Sequence, residues 1–365
     1  MSVMEFNKDL NVAIINQKVF LKSVYGNIKE MEDLLETFEI KTPFRMDLEA
    51  EKIARSIENP SDSVSKKRRK RKLASVDEIL KEEIVYLKEK ITGSRQLLEK
   101  HFPGQPSLSE IRENNRHTRE KVKRLLDTRR GVKGFPPRGV NESEDSLIKN
   151  GVLFPPRSSY VQMDISEMSQ FRDDFGKFDL ILLDPPWENK HIKRHKNEAD
   201  GYCMLGNKEI IDIPVETFLS DDGLVIVWTT NSPRHRASVH QMFSQWGIVK
   251  LATWYWLKVT SYGQLICDFS QGKQPYEICL VGQSERRGEK VSLEDGLVLV
   301  SVPSAVNSHK PPLADVLAAV TGGETSVSRK LEIFGRSLSP GWMTVGNEPC
   351  LLNVIQNETL ADPNK

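Results

Sequence analysis

The chain has 365 residues, enough for a sizeable core and more than one domain. Its formal net charge is only +1, yet residues 1–150 hold 31 Lys/Arg against 25 Asp/Glu while residues 151–365 hold 21 against 26, so charge-driven nucleic-acid contact belongs to the first part. Four scattered cysteines without a CxxC pair argue against a zinc cluster and for a reducing compartment, and the lack of an apolar signal core or a long uncharged apolar run predicts a soluble, intracellular chain.

Residues 1–60 read as a small accessory region. Val12–Ile15 and Val19–Leu21 are short apolar patches, and Met31, Leu34, Leu35 and Phe38 fall at helical spacing. A linker follows, and within residues 61–74 lie seven consecutive cations, Lys66–Lys72. Such a run repels itself and cannot pack. It fits a nuclear-import signal better than a phosphate-binding arm or a merely solvated stretch, so a nuclear location is expected.

Residues 75–150 read as a helical hairpin and a connector. Ser75 and Glu78 form a capping-box pattern that opens a helix, with Leu80, Ile84, Leu87, Ile91 and Leu98 along one face as far as His101. Pro103–Pro106 breaks it. Ser107 and Glu110 open a second helix that runs to Gly131 and carries Arg112, Arg116, Arg119, Lys121, Lys123, Arg124, Arg129 and Arg130. Its basic face is a candidate RNA tract, or equally a solvated face with i,i+4 ion pairs.

Residues 151–350 alternate strand and helix, which predicts an α/β three-layer domain with a mostly parallel sheet. Tyr160–Met163 is a strand ending at Asp164 and Ile165. Leu180–Leu183 is a buried strand, and the polar residues 188–206 after it read as a mobile loop over a site. Strands follow near 223–228, 249–258, 276–282 and 297–302, with a helix at 311–320 that starts on prolines and stops at Gly322–Gly323. Residues 330–334 and 342–345 are expected to close the sheet, and 351–365 read as a polar tail.

The chemistry concentrates where the second strand stops. Asp184, Pro185, Pro186 and Trp187 place a carboxylate, two rigid carbonyls and an indole at the carboxyl end of a buried strand, where ligands of open α/β sheets bind. A carboxylate and a fixed carbonyl can accept both N–H bonds of an exocyclic amine and aim its lone pair at an electrophile, while an aromatic ring can stack on the base. Taken alone, the same four residues also suit a capped Pro-Pro turn with a core tryptophan. Neither GxGxxG nor GxxxxGKS occurs, so no dinucleotide fingerprint or P-loop supports cofactor binding.

Asp184–Trp187 after a buried strand resembles the amino-methyltransferases that modify adenine N6. Asn307–Pro311 and Leu331–Arg336 resemble the RNA adenine-N6 methyltransferase family, the MT-A-seventy family. Asp184–Lys190 together with Lys273–Glu277 resembles its methyltransferase-like-four branch. The resemblance spans roughly residues 160–348. It implies a Rossmann-like S-adenosylmethionine-dependent methyltransferase sheet preceded by a mainly helical accessory region.

It also implies roles. Asp164 and Ile165 would meet the adenine end of S-adenosylmethionine, Asp184 its methionine amino group and methyl, and Lys310 and Arg336 ribose hydroxyls. Asn347 and Glu348 stand where the family has a cofactor-contacting pair. Trp187, Asn189, Lys190, Glu277 and Lys310 would face the substrate. The loop after Arg336 is shorter than that of the messenger-RNA enzyme, and the tyrosine that follows the motif there has no clear counterpart, Tyr202 being the nearest. The implied reaction uses no metal, no covalent intermediate and no obligatory methyltransferase partner. The implied substrate is 2′-O-methyladenosine in U2 small nuclear RNA, with adenine in DNA or an inactive RNA-binding scaffold as the competing readings.

Overall fold

A computed structural model describes residues 3–355 except 27, 46, 59–77, 133–134, 188–205, 270–273, 308 and 324–326. The basic run Lys66–Lys72, the first capping-box serine, the predicted site residues Asn189 and Lys190, and Tyr202 lie outside the described residues.

One twisted sheet organises the molecule. Its strands in chain order are β1 (Val3–Asn7), β2 (Val12–Ile15), β3 (Arg138–Val140), β6 (Ser159–Gln162), β7 (Phe178–Leu183), β8 (Leu219–Thr229), β9 (Ile248–Lys258), β10 (Tyr276–Ser284), β11 (Val298–Ser301), β12 (Lys330–Ile333) and β13 (Trp342–Gly346). The short strands β4 (Leu147–Lys149) and β5 (Val152–Phe154) form a separate hairpin. The spatial order is β1-β2-β11-β9-β10-β8-β7-β12-β13-β6-β3. Strands β8, β7, β12, β13 and β6 run parallel to one another, whereas β10 runs antiparallel to both β8 and β9.

The alternation of side chains divides the core into two layers. Ile181, Leu183, Val225 and Val227 face Val239, Met242 and Phe243 of the helix Pro233–Gln245. Leu180, Leu182, Leu224 and Ile226 face Leu313, Val316 and Leu317 of the helix Leu313–Val320. A buried strand with helices on both faces needs apolar residues at every position, which is why these strands read as unbroken apolar runs.

Residues 351–355, expected to belong to a polar tail, are instead buried, with Leu351, Leu352 and Ile355 packed on Leu21, Tyr25 and Leu125, because this stretch is apolar and only the residues after it are polar. Three features of the larger elements also differ from expectation. β12 and β13 lie inside the sheet, with β12 hydrogen-bonded between β7 and β13, and do not close it. Chain order says nothing of this insertion, because a parallel crossover is free to return to an inner position. Second, β1 and β2 of the N-terminal region belong to the main sheet, β2 pairing in parallel with β11.

Third, each long predicted helix is two. α4 (Glu78–Gly93) gives way at Ser94 to α5 (Arg95–His101), and α6 (Leu108–Glu113) gives way at Asn114 and Asn115 to α7 (Arg116–Gly131). Both asparagines adopt the left-handed conformation, with φ of 52° and 57°. Asparagine tolerates that region because its amide bonds locally. Asn115 Oδ1 accepts the amides of Lys41 and Thr42 at 2.9 and 3.2 Å, its Nδ2 donates to Thr42 O at 2.7 Å, and Asn114 Nδ2 donates to Arg45 O at 2.7 Å. The capping box of α6 is formed, Ser107 N donating to Glu110 Oε2 at 2.8 Å. That bond, seconded by Lys41, holds the Glu110 carboxyl down at about 2 against the cost of burial.

The basic face of α7 is partly spent. Arg129 is buried and donates to Leu352 O, Lys121 pairs with Glu36, Arg112 with Glu58, and Arg130 with Glu348. These pairs tie α6 and α7 to other elements and are not i,i+4 pairs. Arg116, Lys123 and Arg124 remain exposed.

Candidate functional site

The topology brings the predicted residues to one edge. The carboxyl ends of the parallel strands β6, β13, β12, β7 and β8 meet there, carrying Asp164, Asn347, Arg336, Asp184 and Thr230 in turn. Because β10 is antiparallel, its amino end arrives at the same edge and delivers Glu277, whose Cα partner on β9 is Trp256. The carboxyl end of β9 delivers Lys258.

Four charged groups interlock at the centre. Lys310 Nζ lies 3.2 Å from Asp184 Oδ1 and 2.7 Å from Glu277 Oε2. Lys258 Nζ pairs with Glu277 Oε1. The two carboxylates are therefore unequal. Burial works to raise the Glu277 carboxyl, but Lys310 and Lys258 hold it far below the usual range. Asp184 pairs with the shared lysine; burial pushes its carboxyl up, and Lys310 offsets this in part. Burial also opposes the Lys310 charge, and Asp184 and Glu277 outweigh it, so the ammonium is held charged. Lys310 further lies 5.4 Å from the centre of the Trp228 ring, a favourable cation–π distance.

The Pro-Pro turn is fastened by its tryptophan. Trp187 Nε1 donates to Trp228 O at 2.9 Å, and the indole stacks on His235 with centroids 5.0 Å apart. Only 9% of Trp187 is exposed. Its ring thus braces the turn against the helix Pro233–Gln245, and His235 is held in turn by Thr230 Oγ1 at 2.7 Å from Nδ1. The Trp187 amide donates to Pro185 O at 2.8 Å. Among the described residues no backbone hydrogen bond ends on Pro186 O.

A recess of about 150 Å³ opens beside Asp184, lined among others by Lys310, Glu332, Phe334, Arg336 and Leu338. Glu332 sits on β12, register-paired with Leu182. Burial and then the neighbouring Asp184 push its carboxyl up to about 8, with Lys310 opposing. Phe334 follows β12 with φ of 72°, a strained value for a side chain of that bulk. Gly335 next to it admits no side chain, since a Cβ there would lie 2.4 Å from Thr344 Cγ2 and 2.9 Å from Glu332 Cδ.

The remaining predicted residues flank this centre. Arg336 lies 3.1 Å from Glu348 Oε2, and Arg130 of α7 lies 3.1 Å from the other Glu348 oxygen. Asp164 caps the 3₁₀ turn Ile165–Phe171, accepting Ser166 N at 2.9 Å and Ser166 Oγ at 2.7 Å, and these bonds lower its carboxyl. Ile165 is buried. Asn347 is exposed, and its carbonyl accepts Gln162 Nε2 at 3.0 Å. Asp184, Lys310 and Glu277 form one cluster and Arg336 with Glu348 a second, while Asp164 and Asn347 stand at neighbouring strand ends.

Sequence reasoning missed Lys258, Trp228, His235 and Glu332. Lys258, Trp228 and His235 belong to no local motif. Glu332 stands inside Leu331–Arg336 without a role assigned to it there, and its alternation with Phe334 on the recess side was the signal that could have singled it out.

Residues 178–348 match the MT-A70 family model. This segment is an MT-A70 domain. The chain is 35% identical over 216 residues to the mouse N(6)-adenine-specific methyltransferase METTL4, a match covering 56% of this chain and 44% of the mouse protein. It is 28% identical to the Caenorhabditis elegans DNA N6-methyl methyltransferase over 94% of this chain and 96% of that one. It is 35% identical to the N6-methyladenosine RNA methyltransferase MTA1 of Cryphonectria parasitica over 50% of this chain and 55% of the fungal protein. The chain thus spans less than half the length of the mouse relative and nearly all of the nematode one.

Proposed function

We propose that the protein transfers a methyl group from S-adenosylmethionine to the N6 amine of adenine in a nucleic acid, with RNA carrying 2′-O-methyladenosine, as in U2 small nuclear RNA, as the first substrate. The observation that carries the reading is Asp184–Trp187 at the carboxyl end of β7 with Asp184 joined to Glu277 through Lys310. The donor set of the recess suits the cofactor. Asp184 and Glu332 offer oxygen acceptors to an ammonium group, Lys310 offers donors to a carboxylate or hydroxyls, and Arg336 with Glu348 offers donors and acceptors to a ribose. When bound, S-adenosylmethionine supplies an electrophilic methyl on a sulfonium.

The chain's own residues orient the amine. Its nitrogen is a weak nucleophile because the lone pair is delocalised into the ring. Asp184 and the Pro186 carbonyl accept the two N–H bonds, which turns the lone pair toward the methyl. Proline fixes that carbonyl before substrate arrives, so nothing reorganises during reaction. The extra proton leaves to solvent after transfer, and no strong base is needed. Glu277 is committed to two lysines and acts on charge and shape, holding Lys310 against Asp184.

DNA is the second reading. It is favoured by the near full-length likeness to a nematode protein named for DNA methylation. Both are tested with labelled S-adenosylmethionine and three matched oligonucleotides: RNA with one adenosine, the same RNA 2′-O-methylated there, and DNA. Transfer to the 2′-O-methylated RNA that disappears in Asp184→Ala supports the first reading. Preference for DNA replaces it with the second. Binding of RNA without transfer to any of the three favours an inactive scaffold.

A nuclear location is likewise a proposal, drawn from Lys66–Lys72. A fluorescent fusion should enter the nucleus and lose that accumulation when the seven cations are replaced. Unchanged accumulation would refute the assignment.

A further inference from the structure

Within the loop that carries Lys310, Val306 N donates to Ser304 Oγ at 3.0 Å. Pro311 and Pro312 follow, and neither has an amide hydrogen to donate. The loop is also held from behind by a segment distant from it in the chain. Thr37 Oγ1 lies 2.7 Å from Ser304 Oγ, and Ala305 N donates to Thr37 O at 2.7 Å. The Phe38 ring meets His309 edge-on at 5.2 Å.

The most direct hold is Gln17. It lies at the start of α1 (Gln17–Tyr25), which Asn16 caps by accepting Val19 N at 3.0 Å. Gln17 is 3% exposed. Its Nε2 donates to Lys310 O at 3.1 Å. Its Oε1 accepts Ser301 Oγ at 3.2 Å, and Ser301 Oγ in turn accepts Trp256 Nε1 at 2.8 Å. The direction of this chain fixes the amide. Only with its oxygen toward Ser301 can Gln17 present N–H to Lys310. Trp256 is itself part of the site, since Lys258 lies 4.3 Å over its ring and Glu277 is its register partner. The relay therefore links the two lysines that grip Glu277, one through its backbone and one through its indole platform.

We infer that Gln17 is a positioning residue: it fixes the Lys310 backbone so that the ammonium bridges Asp184 and Glu277, and the N-terminal segment thereby completes the site of the MT-A70 domain. The kinetic part of this inference rests on the methyl-transfer reading.

The test uses the full chain with Gln17→Met, which keeps volume but neither hydrogen bond, and Gln17→Glu, which keeps the acceptor for Ser301 but loses the donor to Lys310. Two readouts are taken. The first is kcat and KM on the best of the three oligonucleotides. The second is the reactivity of Lys310 toward an amine-labelling reagent, read by mass spectrometry, which needs no turnover. In both variants kcat falls about tenfold or more, as expected when a reacting geometry is loosened remotely. KM stays within about twofold, because ground-state binding is not what is lost. Lys310 becomes more reactive in both. If either folded variant keeps wild-type kcat and wild-type Lys310 labelling, the inference is wrong. If Gln17→Met does not fold, Ser301→Ala breaks the same relay from β11 and is judged by the same readouts. If the wild type transfers no methyl to any oligonucleotide, the methyl-transfer reading fails while the labelling result still decides the role of Gln17.

Discussion

Asp184 and Glu332 are neighbouring carboxyls with one lysine near both, and only one of them can be charged cheaply. Burial and Asp184 push the Glu332 carboxyl up from its ordinary 4.5 to about 8. A carboxyl raised in the folded state contributes stability that is present in full below its unfolded value and is lost as pH rises through the folded one. Thermal melts of the wild type should therefore decline between about pH 4.5 and 8 relative to Glu332→Gln, whose amide does not titrate. Parallel profiles for the two proteins would show that Glu332 is not the group responsible. At this scale the sequence was partly legible. Asp184, Lys310 and Glu277 stood in motifs and do converge. Lys258 stood in none and Glu332 stood in one without a role, because what brings them to the site is the antiparallel placement of β10 and the insertion of β12. Trp187 was legible as a motif residue, yet the ring is committed to His235 and to the Trp228 carbonyl.

Among the elements, strands were the easiest to read and their spatial order the hardest. A strand buried on both faces shows as an apolar run wherever it lies in the sheet, so β12 and β13 looked like closing strands and are interior ones. Helix breaks were hidden for a different reason. Between Ile111 and Val122 no apolar residue occurs whose spacing could betray a break, and only the adjacent asparagines mark the interruption. That pair is a clamp on residues 41–45, with Asn115 buried and making three hydrogen bonds to the backbone. Asn115→Ala removes them and forces a Cβ-bearing residue without a local amide to keep positive φ. The expected loss is about 2–3 kcal/mol by chemical denaturation, from unsatisfied buried backbone groups and left-handed strain together. A loss below about 0.5 kcal/mol would mean that the 41–45 segment finds other partners, as exposed substitutions do.

Across the whole molecule, a series of polar ties joins the helical region 78–131 to the sheet and its connections, among them Tyr86 to Gly296 O, Lys90 to Leu10 O, and Lys100 and His101 to Glu5. Glu83 of α4 is the chief one. Its two oxygens meet Arg236 NH1 and NH2 at 2.6 and 2.5 Å, and the hydroxyls of Tyr255 and Tyr276 approach the same oxygens at 3.3 Å. Glu83→Gln leaves a recessed guanidinium without its counter-charge, at an expected cost of about 3 kcal/mol. Limited trypsin digestion should then cut α4 at Lys81, Lys88 or Lys90 well before the sheet is attacked. Simultaneous loss of both would show that α4 is held mainly by Leu87 and the apolar contacts of α5. The halves that charge and composition separate are thus joined in the fold, and no periodicity in either half announces a single glutamate from one that seats an arginine of the other.

The parallel pairing of β2 with β11 has a consequence for synthesis. Val12 leaves the ribosome nearly three hundred residues before its register partner Val298. β12, which supplies Glu332 and leads to Arg336, appears later still and must enter between β7 and β13. The edge of β2 that β11 covers therefore waits open while nearly three hundred residues are made, although β1 pairs with its other edge at once. A nascent chain stopped before residue 298 would hold the elements of residues 1–150 and still expose the edge of β2 meant for β11, an open row of backbone donors and acceptors that invites mispairing until the later strand arrives.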